Sequence, residues 1–314
     1  MRLIYYIFLY VLVGILLGII LLAFIFTTLF FRKKKNLCEV NQKLIDNNAM
    51  PQAQLDAINK NQKKKVLLCG MVRDEANKIP QMKKMTNKIL SYFADTSEII
   101  ILENDSTDKT RELLLDWAKE NNKVSILGCG TNVKKCTLNM MKTLIHDGQQ
   151  KRIDKMVTLR NETLKHIMLP KYDDVEYVVM FDFDLVGELL NIENIIYTFE
   201  TNEIVNAQCV LTVQNMNYYD PYAHLDVDEI YRHSKENMEW GRNMINVVGT
   251  GIKHVKSCFN GLTFYILESL RNTYESGGYC TYHDVENKEA VCEHVCLHLK
   301  IDGVYLNTNA ILFF

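Results

Sequence analysis

The sequence has no dominant charge. Lys and Arg number 36 against 38 Asp and Glu, a formal net charge of -2 over 314 residues. No basic field points to nucleic acid, and no acidic field points to a solubilising tail. Partners therefore have to be read from individual sites. Internal repeats and long low-complexity tracts are also missing. So are paired CxxC motifs. Cys280, Cys292 and Cys296 lie close to His283, His294 and His298, yet their spacing fits no standard zinc pattern.

The N-terminal segment lacks charge. Leu3 to Phe31 is apolar almost throughout, contains no charged residue and shows no polar helix face. A span needs roughly 20 such residues, so this segment is long enough to cross a bilayer with some tilt. It ends in Phe30, Phe31 and the basic cluster Arg32 to Lys35 rather than a small-residue cleavage site, which reads as an uncleaved anchor over residues 1–35. Only Arg2 precedes the span, so the charge bias favours a cytosolic C-terminal domain. Nine cysteines, an odd number, leave at least one unpaired and do not fix the compartment. Cys69 and Cys209 sit in apolar strand-like runs and read as core residues. Cys129 and Cys136 would close a short loop in an oxidising compartment.

Residues 36–64 are polar and rich in Asn, Gln and Lys. They read as a stem or linker with some helix around Gln52 to Asn59. The folded domain occupies residues 65–314. There the pattern alternates. "KVLLCGMV", "SEIIILE", "KVSILG" and "VEYVVMF" are short buried strands. Between them, Met82, Met85, Ile89 and Phe93 fall at helical spacing, as do Leu114, Trp117 and Ala118 behind an Asp108 cap. Residues 151–169 form a further helix. This alternation predicts an α/β domain with a mostly parallel sheet. The second half is more mixed, with "AQCVLTVQN" and "KSCFNGLTFYI" as strands.

Ligands of open α/β sheets bind at the carboxyl ends of the strands. Arg73, Asp74 and Glu75 follow the first strand, "ENDSTD" (Glu103–Asp108) the second, and Asp182 and Asp184 the fourth. If "FDFDL" stays extended, both aspartates project on one side. Mg²⁺ and Mn²⁺ typically use one or two carboxylates plus substrate phosphates. By contrast, Asp226 and Asp228 read as the solvated start of a helix. Arg160 falls on the inward face of its helix with Ile153, Val157 and Leu164, where a charge requires a partner. His294 and His298 are four apart and share a face; Glu293 precedes them.

In this order, "MVRDEA", "ILENDSTDKTRELLLDWA", "LRNETL", "FDFDL", "VKSCFNGLTFYI" and "CEHVCLHLKIDGVYLN" resemble the fungal capsule-associated mannosyltransferase family and its relatives, over roughly Lys65 to Leu312. The resemblance implies a GT-A (Rossmann-like) α/β fold behind the N-terminal transmembrane helix. It implies a GDP- or UDP-sugar donor, Mn²⁺ or Mg²⁺, and hexosyl transfer to a glycan hydroxyl with retention. Arg73, Glu103 and Asp105 would line the nucleotide pocket, and Arg160 would face the phosphates. Asp182 and Asp184 would hold the metal, and Asp182, Asn260 and Gly261 would contact the donor; by their shared face alone, His294 or His298 would complete the metal shell. Glu293 would sit beside the reacting sugar as the catalytic carboxylate. The bilayer would be contacted through residues 3–31. Family architecture places the domain in the Golgi or ER lumen, in conflict with the charge bias. Two alternatives stay open. "VVMFDFDLV" also matches the first motif of haloacid dehalogenase-type phosphohydrolases, with Asp182 as nucleophile; three strand-helix units precede it here, and no late acidic pair follows. The other is a glycan-binding protein that keeps a transferase fold without its activity. The sequons at Asn104 and Asn161 lie inside the proposed site and make poor glycosylation targets.

Overall fold

The computed structural model describes residues 2–47, 52–61, 64–104, 106–128, 149–228, 246–283 and 290–314. Helix α1 (Arg2–Asn47) begins as the apolar segment, and its side chains from Tyr10 to Phe31 are largely exposed. It is the one helix among the described residues long and apolar enough to cross a membrane. It does not give way to a free stem. Val40 and Leu44 are buried in the core of the folded domain, with Leu37 packed beside them. The Asn47 Nδ2 donates to the Val248 carbonyl at 3.0 Å. Helix α2 (Gln52–Asn61) matches the predicted helical stretch. It too is docked: Ala57 is buried, and Lys60 pairs at 2.7 Å with Glu200. The linker reading of 36–64 is corrected accordingly. Its apolar residues are few, but their i, i+4 spacing puts Val40 and Leu44 on one helix face.

The sheet follows from short apolar runs bounded by turn residues. Strands β1 (Lys65–Val72), β2 (Glu98–Glu103), β3 (Val124–Leu127) and β4 (Val175–Asp182) pair in parallel in the order β3-β2-β1-β4. Each run is apolar on both faces, as expected of strands covered by helices on both sides. Val66 and Leu68 meet α3 (Ile79–Leu90) and α4 (Thr110–Glu120) through Met82, Met85, Ile89, Leu114 and Trp117. Leu67 and Cys69 meet α5 (Gln149–Ile167) through Leu164 and Ile167. Asp108 accepts from the Thr110 N–H at 2.9 Å and the Ala76 N–H at 3.1 Å, joining the start of α4 to the segment after β1.

Beyond β4 the sheet is mixed. Two short strands follow in the chain, β5 (Glu188–Leu190) and, after α6 (Glu193–Thr201) and β6 (Ala207–Gln214), β7 (Asn217–Tyr218). Next come β8 (His224–Asp226), β9 (Ile252–Cys258), β10 (Leu262–Ile266), α7 (Leu267–Glu275), the small hairpin β11 (Tyr282–His283) and β12 (Ala290–Val291), α8 (Glu293–His298) and β13 (Val304–Phe313). The order continues β4-β10-β6-β13-β9-β8. β10 runs antiparallel between β4 and β6, and β13 runs parallel to β6. The parallel pattern thus holds for the first half, and the second half is antiparallel apart from the β6–β13 pair. The "KSCFNGLTFYI" strand is split in two by a turn in which Asn260 (φ 48°) and Gly261 (φ 79°) are both left-handed. Asp226 ends β8 and pairs with Lys253 at 2.7 Å, while the residues after Asp228, where the helix is expected, lie outside the described residues.

Two cystine bridges lie in the described residues: Cys209–Cys258 joins β6 to β9, and Cys280–Cys296 joins the approach to β11 to α8. Cys209 is therefore buried, as expected, but bonded. Cys69 and Cys292 are buried free thiols. Cys129 and Cys136 lie outside the described residues.

Gly70 connects the sheet to its functional edge. A Cβ at this position would collide with the Phe181 carbonyl and the Phe183 ring, so only glycine admits the Phe183 side chain here. Gly70→Ala is expected to destabilise the domain by about 1–3 kcal/mol through overpacking. The check is the denaturant midpoint of the variant against wild type.

Candidate functional site

The carboxyl ends of β1, β2 and β4 share one edge, with Arg73, Glu103 and Asp182 at or just beyond the strand ends. β4 ends at Asp182, and the chain turns at Phe183 instead of staying extended. Phe183 is fully buried over Gly70, edge-on to Phe181 at 5.2 Å. The Asp182 N–H donates to the Gly261 carbonyl at 2.9 Å, and the Asp182 carbonyl accepts from the Leu185 N–H at 2.9 Å. These contacts fix the turn while Asp182 and Asp184 remain partly exposed. Gly261 lies against this turn, where a Cβ would strike Leu185.

Arg160 reaches this turn from the inward face of α5 and is buried. Its Nε donates to Glu293 Oε1 at 2.7 Å and its Nη2 to Asp182 Oδ1 at 3.1 Å. The guanidinium carbon lies 4.8 Å from the centre of the Phe259 ring. Burial opposes the Arg160 charge, but Glu293 and Asp182 outweigh it and raise its pKa. Burial, reinforced by the Asp184 charge, pushes the Asp182 carboxyl up to about 7 in spite of Arg160.

His294 is stacked on Phe259 at 3.4 Å and 7°, with Tyr279 edge-on at 5.2 Å. Neither ring nitrogen has a hydrogen-bond partner. Glu293 Oε1 stands 3.8 Å from Nε2, beyond hydrogen-bond distance. Burial and then Arg160 hold the His294 pKa well below the ordinary value, so the ring is neutral, the form that ligates metals. His298 differs. Its Nδ1 accepts from the Cys258 N–H at 3.3 Å, and its Nε2 faces the Tyr265 hydroxyl at 2.7 Å. Both nitrogens are engaged within the core, so the metal-ligand expectation for His298 is corrected.

Other expected contacts also turn out to be spent within the protein. Glu103 is fully buried. Its Oε1 accepts from the Ser106 N–H at 2.9 Å and its Oε2 from Arg111 Nε at 2.8 Å, so it braces the turn instead of facing a nucleotide. Asn260, also fully buried, accepts from the Asp220 N–H at 3.0 Å and donates to the Val210 carbonyl at 3.1 Å. It positions its neighbours and does not itself face a donor. Arg73 is exposed at the end of β1 and pairs with Asp74 at 3.3 Å. Asp105 lies outside the described residues.

Among the described residues, no group of three His, Cys, Asp or Glu side chains converges closely enough to hold a metal. Two partly exposed carboxylates do suit a hard cation that completes its shell with substrate phosphates and water. The orphaned His294 nitrogens add a neutral donor to the same neighbourhood.

The profile of the family described as Cryptococcal mannosyltransferase 1 matches residues 65–295. The chain belongs to that family. The match runs from β1 into α8 and takes in Asp182, Asp184, Arg160, Glu293 and His294. A search of curated proteins returned no significant match. Solved structures similar in outline include GalNAc-T7 with UDP, GalNAc and Mn²⁺, at 11% identity and TM-score 0.45, covering 80% of this chain and 44% of that one. Another is the mannosyltransferase PcManGT from Pyrobaculum calidifontis with GDP-Man and Mn²⁺, at 13% identity and TM-score 0.38, covering 86% and 68%. A third is a mycobacterial protein at 12% identity and TM-score 0.44, covering 85% and 71%. The chain thus spans less than half the length of GalNAc-T7.

Within this mannosyltransferase-family domain, sequence reasoning missed Asp220 and Tyr279 and gave Asn104 no role of its own. Asp220 follows β7, and its Oδ1 accepts from the Tyr222 N–H at 3.1 Å. Burial pushes its carboxyl up to about 6, with Glu293 adding to the rise. Tyr279 and Asn104 are buried with side-chain polar atoms unpartnered. The Asp-Pro step at 220 signalled a turn, but nothing in the sequence signalled its proximity to Glu293.

Arg160→Met leaves two carboxylates without their cation. It is expected to destabilise the domain by about 3–5 kcal/mol. The loss should shrink as pH falls towards about 7, because Arg160 holds the Asp182 carboxyl down to about 7 in wild type and without it the variant takes up that proton at higher pH. Folded Asp182 holds its proton above the unfolded value, so acid favours the folded variant. Urea unfolding of both proteins across this range is the measurement.

Proposed function

We propose that the chain is a membrane-anchored, divalent-metal-dependent glycosyltransferase. It transfers a hexose, with mannose the sugar the family points to, from a GDP- or UDP-sugar to a glycan hydroxyl with retention. The observation that carries this reading is the buried Arg160 guanidinium, bonded to Asp182 and Glu293 beside the FDFD turn. An always-charged, planar donor next to two partly exposed aspartates suits a departing diphosphate. Asp182 and Asp184 would hold Mn²⁺ or Mg²⁺, with His294 as the neutral donor nearby. When bound, the cation supplies Lewis-acid stabilisation of the leaving nucleoside diphosphate. Arg160 orients and neutralises the phosphates. Glu293 holds Arg160 in register and lends negative charge to the reacting centre. Asp182 is ion-paired to Arg160, which disfavours its use as a phosphohydrolase nucleophile.

The test is a release assay over UDP- and GDP-sugars with Mn²⁺. One donor is expected to turn over with wild type and to be inert with Asp184→Ala or with chelator, while the Asp184→Ala melting curve stays unchanged. Equal turnover by mutant and wild type in chelator would sink the assignment. Release of phosphate from phosphomonoesters, with no sugar nucleotide consumed, would favour the phosphohydrolase.

The catalytic domain is proposed to face the lumen of the Golgi or ER. The bridges Cys209–Cys258 and Cys280–Cys296 support an oxidising compartment over the cytosol favoured by the flanking charges. A C-terminal tag is expected to be protected from added protease in intact vesicles and lost after detergent. Digestion in intact vesicles would reverse the orientation.

A further inference from the structure

Tyr279 is held more firmly than a core packing residue requires. Asn161, next to Arg160 on α5, grips its backbone at two points. Nδ2 donates to the Tyr279 carbonyl at 2.8 Å, and Oδ1 accepts from the Tyr279 N–H at 2.8 Å. Gly277 (φ 96°) and Gly278 (φ 63°) lead into it in left-handed conformation, and the next residue, Cys280, is bridged to Cys296 on α8. Three local devices therefore fix the ring, which is 1% exposed. It lies 5.9 Å from the Arg160 guanidinium and edge-on to His294 at 5.2 Å.

The hydroxyl at the end of this ring has no hydrogen-bond partner. A buried hydroxyl left unmade is unfavourable, and Phe would fill the same space without that cost. The phenol remains a proton donor at neutral pH. The charged and titratable groups that act on it are Arg160, the Glu293 and Asp182 carboxylates that Arg160 pairs, and the buried Cys292 thiol. Of the five guanidinium N–H groups, the bonds to Glu293 and Asp182 use two. An O–H donor and a guanidinium with unused N–H groups standing side by side suit an anionic oxygen.

We infer that the Tyr279 hydroxyl, together with Arg160, forms a subsite for a phosphate oxygen of a nucleoside diphosphate. The inference rests on the transferase reading and adds a binding residue to it. The hydroxyl is left unpartnered in the ligand-free fold because its partner arrives with the donor. Tyr279 also fixes the rotation of the diphosphate about Arg160, since a rigid second donor allows fewer poses than a guanidinium alone.

The test compares wild type with Tyr279→Phe as full chains in detergent. Without ligand, the variant is expected to melt at the same temperature or higher, because the lost hydroxyl bonded nothing. With Mn²⁺ present, its Kd for UDP or GDP is expected to rise about tenfold, the worth of one hydrogen bond to a charged group. Uridine and guanosine, which lack phosphates, should bind both proteins alike. Equal diphosphate affinity in the two proteins overturns the subsite while leaving the transferase reading intact. A lower melting temperature of the ligand-free variant also overturns it, because the hydroxyl would then have a structural partner. If wild type binds neither UDP nor GDP with Mn²⁺, the subsite and the transferase reading fall together.

Discussion

The buried Arg160 guanidinium is the constraint around which the functional edge is organised. Arginine cannot shed its charge in a protein, so a fold that buries it must bring anions to it. Glu293 and Asp182 answer that need at its Nε and Nη2, 133 and 22 residues away in sequence. The pairing fixes α5, β4 and α8 relative to one another at the end of the sheet. It also places negative charge and a neutral imidazole in one buried neighbourhood, packed against the rings of Phe259 and Tyr279. A single side chain thereby ties the register of the sheet to the electrostatics of the site.

The FDFD turn depends on a different kind of complementarity. Phe183 fits only because Gly70 has no side chain, and Leu185 of the turn packs where a Cβ on the left-handed Gly261 would stand. With the aromatic ring driven inward, the flanking aspartates are left partly exposed. Asn260 and Glu103 add to this rigidity by bonding backbone groups of neighbouring turns. Both carry the residue types expected at a ligand surface, yet each is buried and occupied in holding a loop.

At the other end of the chain, α1 joins the apolar segment to the core without a free stem. Leu37 packs on the domain only six residues beyond Phe31. At about 1.5 Å per helical residue this is roughly 9 Å, so the domain lies close to the end of the apolar segment. The cystine bridges draw β6 to β9 and the approach to β11 to α8, near the strands and helix that carry Asn260, Glu293 and His294. Covalent ties at these points restrain the segments that shape the site.

Much of this was legible in the sequence because it is local. Apolar runs of strand length, helical spacing of Met82, Met85 and Ile89, and a 29-residue uncharged segment each follow from the period of one element. The inward position of Arg160 could also be read from its helix. What the sequence could not convey was which partners met. The pairing of Arg160 with Glu293, the sealing of His298 against Tyr265, and the docking of Val40 and Leu44 all depend on contacts between distant segments. The same holds for the orphaned hydroxyl of Tyr279, because an unmade hydrogen bond exists only once every neighbour has a position. Residue types and spacing thus determined which elements form and which chemistry is available. The tertiary structure decided which polar groups are consumed by the fold and which remain for a ligand, since burial and hydrogen bonding are properties of packed surroundings, not of one segment.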